Sequence, residues 1–278
     1  MNQRKRILRC NMNVTEKYLP TLNELGVRQI EKVKARLCVD GRAQDRGDYL
    51  AEEVELPTAS IAAIFTLAQI AAMEKRFIMV GDVGTAYLNA SMPTDDPDKV
   101  IHMRIEGRIA EVITKVDPTF AKFINPDGSM IVRLVKALYG CIQSAKLWHT
   151  EITDTLSEHG FKTNPRDPCI FNRMDGPHQF TLLVYVDGLK LICVNKDAVL
   201  RMETILRKKY GQFRTTQERI TSYLGCSWNY TEEGYVSVSL TACSFRFQRA
   251  ISSFFLQSVG SVASVNVAAA ARSSAGTT

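Results

Sequence analysis

The sequence predicts an α+β fold whose central part follows the ferredoxin-like order β-α-β-β-α-β, an antiparallel sheet with two crossover helices on one face. Three observations lead there. An apolar run, Phe77-Ile-Met-Val80-Gly-Asp82, reads as a buried strand. Two β-rich runs, Thr181–Val186 and Leu189–Val194, flank an Asp187-Gly188 pair, the sequence signature of a tight hairpin. Two segments of helical periodicity, Ser144–His159 and Asp197–Tyr210, lie on either side of that hairpin, each followed by glycine.

Taken along the chain, residues 1–57 are charged and mixed, with Lys34, Arg36 and Arg42 close together. Thr58 or Ser60 caps a helix through Ile61, Ile64, Leu67, Ala68 and Ala71 to Lys75. The strand ending at Asp82 follows. In the helix from Ser144, Leu147, Trp148, Ile152 and Leu156 fall on one face and Gly160 is the stop. In the helix from Asp197, Val199, Met202, Ile205 and Leu206 turn inward, and Gly211 follows. Ser222–Tyr230 reads as the closing strand of the pattern, with a further hairpin through Glu233-Gly234. In this topology the turn between the second and third strands lies beside the exit of the first. The Asp187-Gly188 turn is therefore expected next to Asp82, and two carboxylates gathered from distant positions are what a divalent cation needs.

Composition bounds the function classes. The 278 residues are 45% hydrophobic and 23% charged, which describes a globular chain with a sizeable core. A formal net charge of +6 suits a polyanionic partner without requiring one. Seven cysteines are scattered with no C-x-x-C pair, so neither a disulfide framework nor a zinc ribbon follows. The basic start, Arg4-Lys5-Arg6, leads into no apolar signal region, and the apolar run Ala59–Met73 is too short to span a bilayer. A cytoplasmic or nuclear protein with reduced thiols and no membrane contact is the expectation. The stretch from Gln257 is nearly all Ser, Ala, Val and Gly, and reads as poorly packed.

Four motifs then appear in a fixed order: Lys34-Ala-Arg36-Leu, Asp82-Val-Gly-Thr-Ala-Tyr87-Leu-Asn89-Ala, Lys136-Ala-Leu-Tyr139-Gly140-Cys-Ile-Gln143-Ser144, and Tyr185-Val-Asp187. Leu147-Trp148, Gly160-Phe161, Asp167-Pro-Cys169-Ile-Phe171 and Tyr223-Leu-Gly225 extend the set. Together, over roughly residues 30 to 240, the chain resembles copia-type (Ty1/copia) retrotransposon reverse transcriptases. The resemblance implies fingers and palm of a right-handed polymerase, with residues 1–76 as a fingers-like part and helix and 77–245 as the palm. It leaves 246–278 as a degenerate tail, with thumb and RNase H absent. It further implies an RNA-directed DNA polymerase that uses two Mg²⁺ (or Mn²⁺) ions, an RNA or DNA template, a DNA primer and dNTPs.

By the same resemblance Asp82 and Asp187 are the metal carboxylates and the Val83 carbonyl is an added oxygen ligand. Tyr87 excludes a ribose 2′-hydroxyl. Tyr139, Gly140 and Gln143 line the nucleotide and template pocket. Lys34 and Arg36 meet the triphosphate, and Tyr223, Leu224 and Gly225 grip the primer. Read without the family, Asp82 ends a strand, Tyr87 is a half-buried aromatic, and Lys34 and Arg36 form a solvated strand face. Trp148 is core, and Cys141 and Cys169 are small packing residues.

The chain departs from the family at one decisive position. The family has two adjacent aspartates after Tyr-Val, and here the second is Gly188. Glycine suits a hairpin turn, so the fold is expected to survive while a metal carboxylate is lost. The resemblance thus implies a palm with impaired chemistry and a weakened two-ion site. The competing readings are a non-catalytic nucleic-acid-binding remnant of the same lineage and a ferredoxin-like structural module.

Overall fold

The computed structural model describes residues 7–22, 26–97 and 99–239. The basic start, Cys243 and the expected degenerate tail lie outside them. The chain begins with β1 (Ile7–Leu22), β2 (Arg28–Val39), α1 (Ala51–Val54), α2 (Ile61–Met73) and β3 (Phe77–Val83). Then come α3 (Ala86–Asn89), β4 (His102–Ile105), α4 (Gly107–Val116), β5 (Met130–Arg133) and α5 (Ser144–Glu158). After β6 (Lys162–Asn164), β7 (Asp167–Asp175), β8 (His178–Tyr185) and β9 (Gly188–Cys193) the chain enters α6 (Lys196–Tyr210). It ends with β10 (Phe213–Thr216), β11 (Ile220–Tyr223), β12 (Cys226–Tyr230) and β13 (Val236–Ser239). The described residues form two compact units, one from the stretches up to residue 56 and from 87 to 151, the other from 57 to 86 and from 152 onward.

The first unit is built on a four-stranded sheet, β2-β1-β4-β5. β1 and β2 form a long antiparallel ribbon, and strand periodicity gives it two unlike faces. The pairs Met12↔Leu37, Val14↔Ala35 and Glu16↔Val33 share one face. Asn13↔Arg36, Thr15↔Lys34 and Lys17↔Lys32 share the other, which therefore carries Lys17, Lys32, Lys34 and Arg36. Lys17 and Lys32 stand directly opposite each other, an arrangement that repels until an anion or solvent intervenes.

The second unit holds a six-stranded antiparallel sheet, β10-β3-β9-β8-β7-β6. Against one face pack α2, through Ile64, Ala68, Ala71 and Ala72, and the three-stranded sheet β11-β12-β13, through Tyr223, Trp228 and Tyr230. Ile78, Val80, Leu183 and Ile192 meet them from the sheet, and each fully buried aliphatic contributes about 1.5–3 kcal/mol. α6 lies on β3, β9 and β10. Its buried Tyr210 shares a 2.7 Å hydroxyl hydrogen bond with Thr155 of α5. Ser60 caps α2 by accepting from the Ala63 amide at 3.1 Å, one of the two caps expected.

Two expectations need correction. The strand expected over Ser222–Tyr230 is broken at Leu224-Gly225, both in the left-handed region at φ 54° and 74°, and becomes the β11–β12 hairpin of the small sheet. The strand beside β3 is instead Phe213–Thr216, whose ladder pairs Arg214 with Asp82 and Thr216 with Val80. The hairpin turn also differs from its sequence signature. Tyr185 pairs with Gly188, so the turn residues are Val186 and Asp187, and Gly188 already belongs to β9. The positive φ falls on Val186, at 57°, while Gly188 is absent from the positive-φ residues. Glycine is therefore not what this turn requires.

The hairpin expected at Glu233-Gly234 is present as the β12–β13 connection, with Gly234 at φ 87°. β7 is a strand that no periodicity in the sequence marks, and it contains the Asp167–Phe171 motif.

Candidate functional site

In the second unit the register of three strands builds a carboxylate corner. β3 and β9 pair Asp82 directly with Gly188, and β8 and β9 pair Tyr185 with Gly188. The Val83 amide donates to the Asp187 carbonyl at 2.9 Å, which fastens the turn to the end of β3. Asp82 is exposed and Asp187 half-buried. Directly opposed residues point to the same face, so Asp82, Tyr185 and position 188 look the same way.

Tyr223 backs this corner. It is 4% exposed, and a Cβ built on Gly188 would rest 3.4 Å from its ring and 3.4 Å from the Tyr185 carbonyl. That is ordinary contact, so a Cβ is accommodated at position 188. Desolvation raises the Tyr223 hydroxyl well above the usual tyrosine pKa, and among the described residues the hydroxyl finds no hydrogen-bond partner. Leu224 and Gly225 form the turn after it. The Trp228 indole N–H closes that turn by donating to the Tyr223 carbonyl at 2.9 Å.

In the first unit a second group forms. Arg36 lies over the Tyr139 ring at 5.9 Å, and Tyr139 meets Tyr87 at a 4.4 Å centroid separation. Lys34 is two residues from Arg36 on the same strand face. Tyr139 is fixed by its backbone, since its carbonyl accepts from the Val39 amide at 2.8 Å. Gly140 sits at φ 100°, and any Cβ there would collide with the Val39 carbonyl; a Cβ on Gly41 would in turn strike the Gly140 carbonyl. Gln143 is 4% exposed and accepts from the Gln44 amide at 3.0 Å. Gln44 also accepts from the Ile142 amide at 2.9 Å and donates to the Tyr49 hydroxyl at 2.7 Å.

The structure thus brings Asp82, Val83, Asp187, Gly188 and Tyr223 together in one unit. It gathers Arg36, Tyr87, Tyr139, Gly140 and Gln143 in the other. Gln44 and Tyr49 escaped sequence reasoning because their partner Gln143 is about a hundred residues away and no local pattern marks them. Lys190, buried two residues beyond Gly188, escaped because it sits inside an otherwise apolar strand.

Two carboxylates with nearby main-chain oxygens suit one hard divalent cation. A two-ion site asks for more, and among the described residues no three His, Cys, Asp or Glu side chains form a metal-binding group. The donor set fits the metal in kind and falls short of it in number. All six described cysteines are free, and burial lifts the thiols of Cys141 to about 11 and Cys169 to about 12. Among the described residues no helix is long and apolar enough to cross a membrane.

Residues 13–251 match the family described as "Reverse transcriptase (RNA-dependent DNA polymerase)". Two Arabidopsis thaliana proteins are similar over most of the chain. A retrovirus-related Pol polyprotein from transposon RE2 is 28% identical over 72% of this chain. Another, from transposon RE1, is 29% identical over 70%. The chain spans only 12% of the length of either polyprotein.

Proposed function

Since the chain belongs to the reverse transcriptase (RNA-dependent DNA polymerase) family, and to its copia-type retrotransposon branch, we propose that it is the fingers and palm of an RNA-directed DNA polymerase whose nucleotidyl transfer is impaired at Gly188. The observation that carries this reading is the register that sets Asp82 opposite Gly188, with Asp187 fastened to Val83. In this reading the six-stranded sheet is the palm. The order β10-β3-β9-β8, joined through α5 and α6, supports its ferredoxin-like description, with β7 and β6 as an extension.

Asp82 and Asp187, with the Val83 carbonyl, would hold Mg²⁺ or Mn²⁺. The bound ions would supply charge neutralisation and a lowered pKa at a primer 3′-hydroxyl. Arg36 and Lys34 offer fork-like and point-charge donors to a dNTP triphosphate. The Tyr87–Tyr139 pair offers an aromatic wall against a sugar. Gln143, held by Gln44, and Gly140, held against Val39, shape the surface on which a templated base would rest. The Tyr223-Leu224-Gly225 turn would contact the primer strand. With glycine at 188, one carboxylate is missing where negative charge develops. The expected loss is about 10²–10³ in rate.

The test is primer extension on an RNA template with Mg²⁺ or Mn²⁺, comparing the chain with its Gly188→Asp variant. The available space predicts that the variant folds. Extension by the parent as fast as by the variant, and as fast as by a second variant in which the buried Lys190 is also replaced by methionine, would overturn the claim of damaged chemistry.

Glycine at position 188, opposite Asp82, favours a second reading, a non-catalytic nucleic-acid-binding remnant in which the basic face of the β1–β2 ribbon would meet an anionic backbone without turnover. Tight, steeply salt-dependent binding of primer–template by both proteins, with no extension by either, would select it.

A further inference from the structure

Lys190 is a charge without a visible purpose. It is 2% exposed, and among the described residues its Nζ has no hydrogen-bond partner. Three aromatic rings of the small sheet enclose it, with the Nζ 4.4 Å from the Trp228 centroid, 5.2 Å from Tyr223 and 5.3 Å from Tyr230. Ring faces stabilise a cation but leave its N–H donors unmet. The hydroxyls of Tyr223 and Tyr230 are buried and, among the described residues, unpartnered as well. A lysine used only to fill space would be replaced by leucine or methionine at lower cost, since burying an ammonium is expensive.

The ladder shows what could complete it. Asp82 pairs with Gly188 and Val80 with Lys190, so Asp82, position 188 and Lys190 lie on one face of the sheet. Positions 188 and 190 are alternate residues of β9, about 7 Å apart along the strand. Both reach the same ring: a Cβ at 188 would touch Tyr223, over which the Lys190 ammonium lies. An aspartate side chain at 188 and the long lysine stem span that separation comfortably.

The other groups near this face are Asp82 and Arg214 on neighbouring strands, Asp187 and Tyr185 at the hairpin, and Cys169 and Cys226 in the adjoining core. None of them is a hydrogen-bonded partner of the ammonium. Burial alone draws its pKa down to about 7, with no neighbouring charge contributing.

We propose that Lys190 is the built-in counter-ion of position 188: a carboxylate introduced there would pair with the lysine ammonium, and would be engaged by it before it could serve a metal ion. Restoring an aspartate at 188 therefore does not by itself restore a full carboxylate site; neutralising Lys190 must accompany it. The ion pair follows from the strand geometry alone, whereas its consequence for metal binding rests on the reading of Asp82 and Asp187 as metal ligands.

A double-mutant cycle in the full chain tests this, with Gly188→Asp, Lys190→Met and the double variant compared by urea unfolding at pH 7. The expected coupling is at least tenfold in the unfolding constant, the aspartate being better tolerated beside lysine than beside methionine. Gly188→Asn, of equal size and no charge, should show no such coupling. Additive effects within twofold, or equal coupling with asparagine, would overturn the proposal. Should Lys190→Met fail to fold, Lys190→Gln takes its place in the same cycle.

Mn²⁺ titration of the same proteins gives an independent readout. Tighter binding by the double variant than by Gly188→Asp alone supports the proposal, and tighter binding by Gly188→Asp alone counts against it. Coupling in the unfolding cycle with no Mn²⁺ bound by any variant would uphold the ion pair and sink the metal-site reading instead.

Discussion

At Gly140 the chain passes so close to Val39 that no side chain can enter, and the backbone stands at φ 100°. Gly140→Ala should destabilise by at least about 2 kcal/mol, from strain plus collision. An unchanged urea midpoint would refute the close crossing. Lys190 gives a pH signature. Its folded pKa of about 7 lies below the ordinary 10.5, so the unfolded chain binds that proton throughout the interval and stability rises with pH across it. Above about pH 9 the raised thiols of Cys141 and Cys169 oppose this, because the unfolded chain then loses protons that the folded chain keeps. The clear window is pH 7 to 9, where urea midpoints should climb and where Lys190→Met should flatten the climb. Neither residue could be explained from its neighbours in sequence. The motif around Gly140 marked its importance through family resemblance, but the reason, a backbone about a hundred positions away, is tertiary. Lys190 looked like one polar interruption in Leu189–Val194 because its aromatic box arrives from three later positions.

The β8–β9 hairpin shows where pattern reading succeeds and where it slips. Two β-rich runs around an Asp-Gly pair located the hairpin, and the register of β3 against β9 brings Asp82 to it. The turn itself is offset by one residue, since pairing across three strands, not the local preference of glycine, selects Val186-Asp187. A β-branched residue at φ 57° carries a strain of about 1–2 kcal/mol. Val186→Gly should therefore stabilise the protein by about 1 kcal/mol, after the greater freedom of glycine in the unfolded chain is subtracted. Thermal unfolding checks it, and a lower midpoint would mean that valine packing outweighs the strain. The Ser222–Tyr230 reading failed for a related reason. Its alternation is genuine on both sides, but Leu224-Gly225 reverses the chain midway. The β1–β2 ribbon was illegible as a ribbon because its mixed composition hides two faces that separate only once the strands are paired.

For the molecule as a whole, the division into units does not follow the chain. Each unit is assembled from two separated stretches, so each contains contacts that close only after a long excursion through the other. Such high contact order slows folding. It also explains why a linear reading locates strands and motifs more readily than it groups them. The interleaving has a consequence for synthesis on the ribosome. β3, an apolar strand that lies between β10 and β9 in the larger sheet, leaves the exit tunnel well before either of these neighbours has been made. Through that interval it has both hydrogen-bonding edges open, the condition under which nascent strands pair with the wrong chain. The residues that later hold Asp82 opposite position 188 thus wait, during translation, for about a hundred further residues before their first ladder can form.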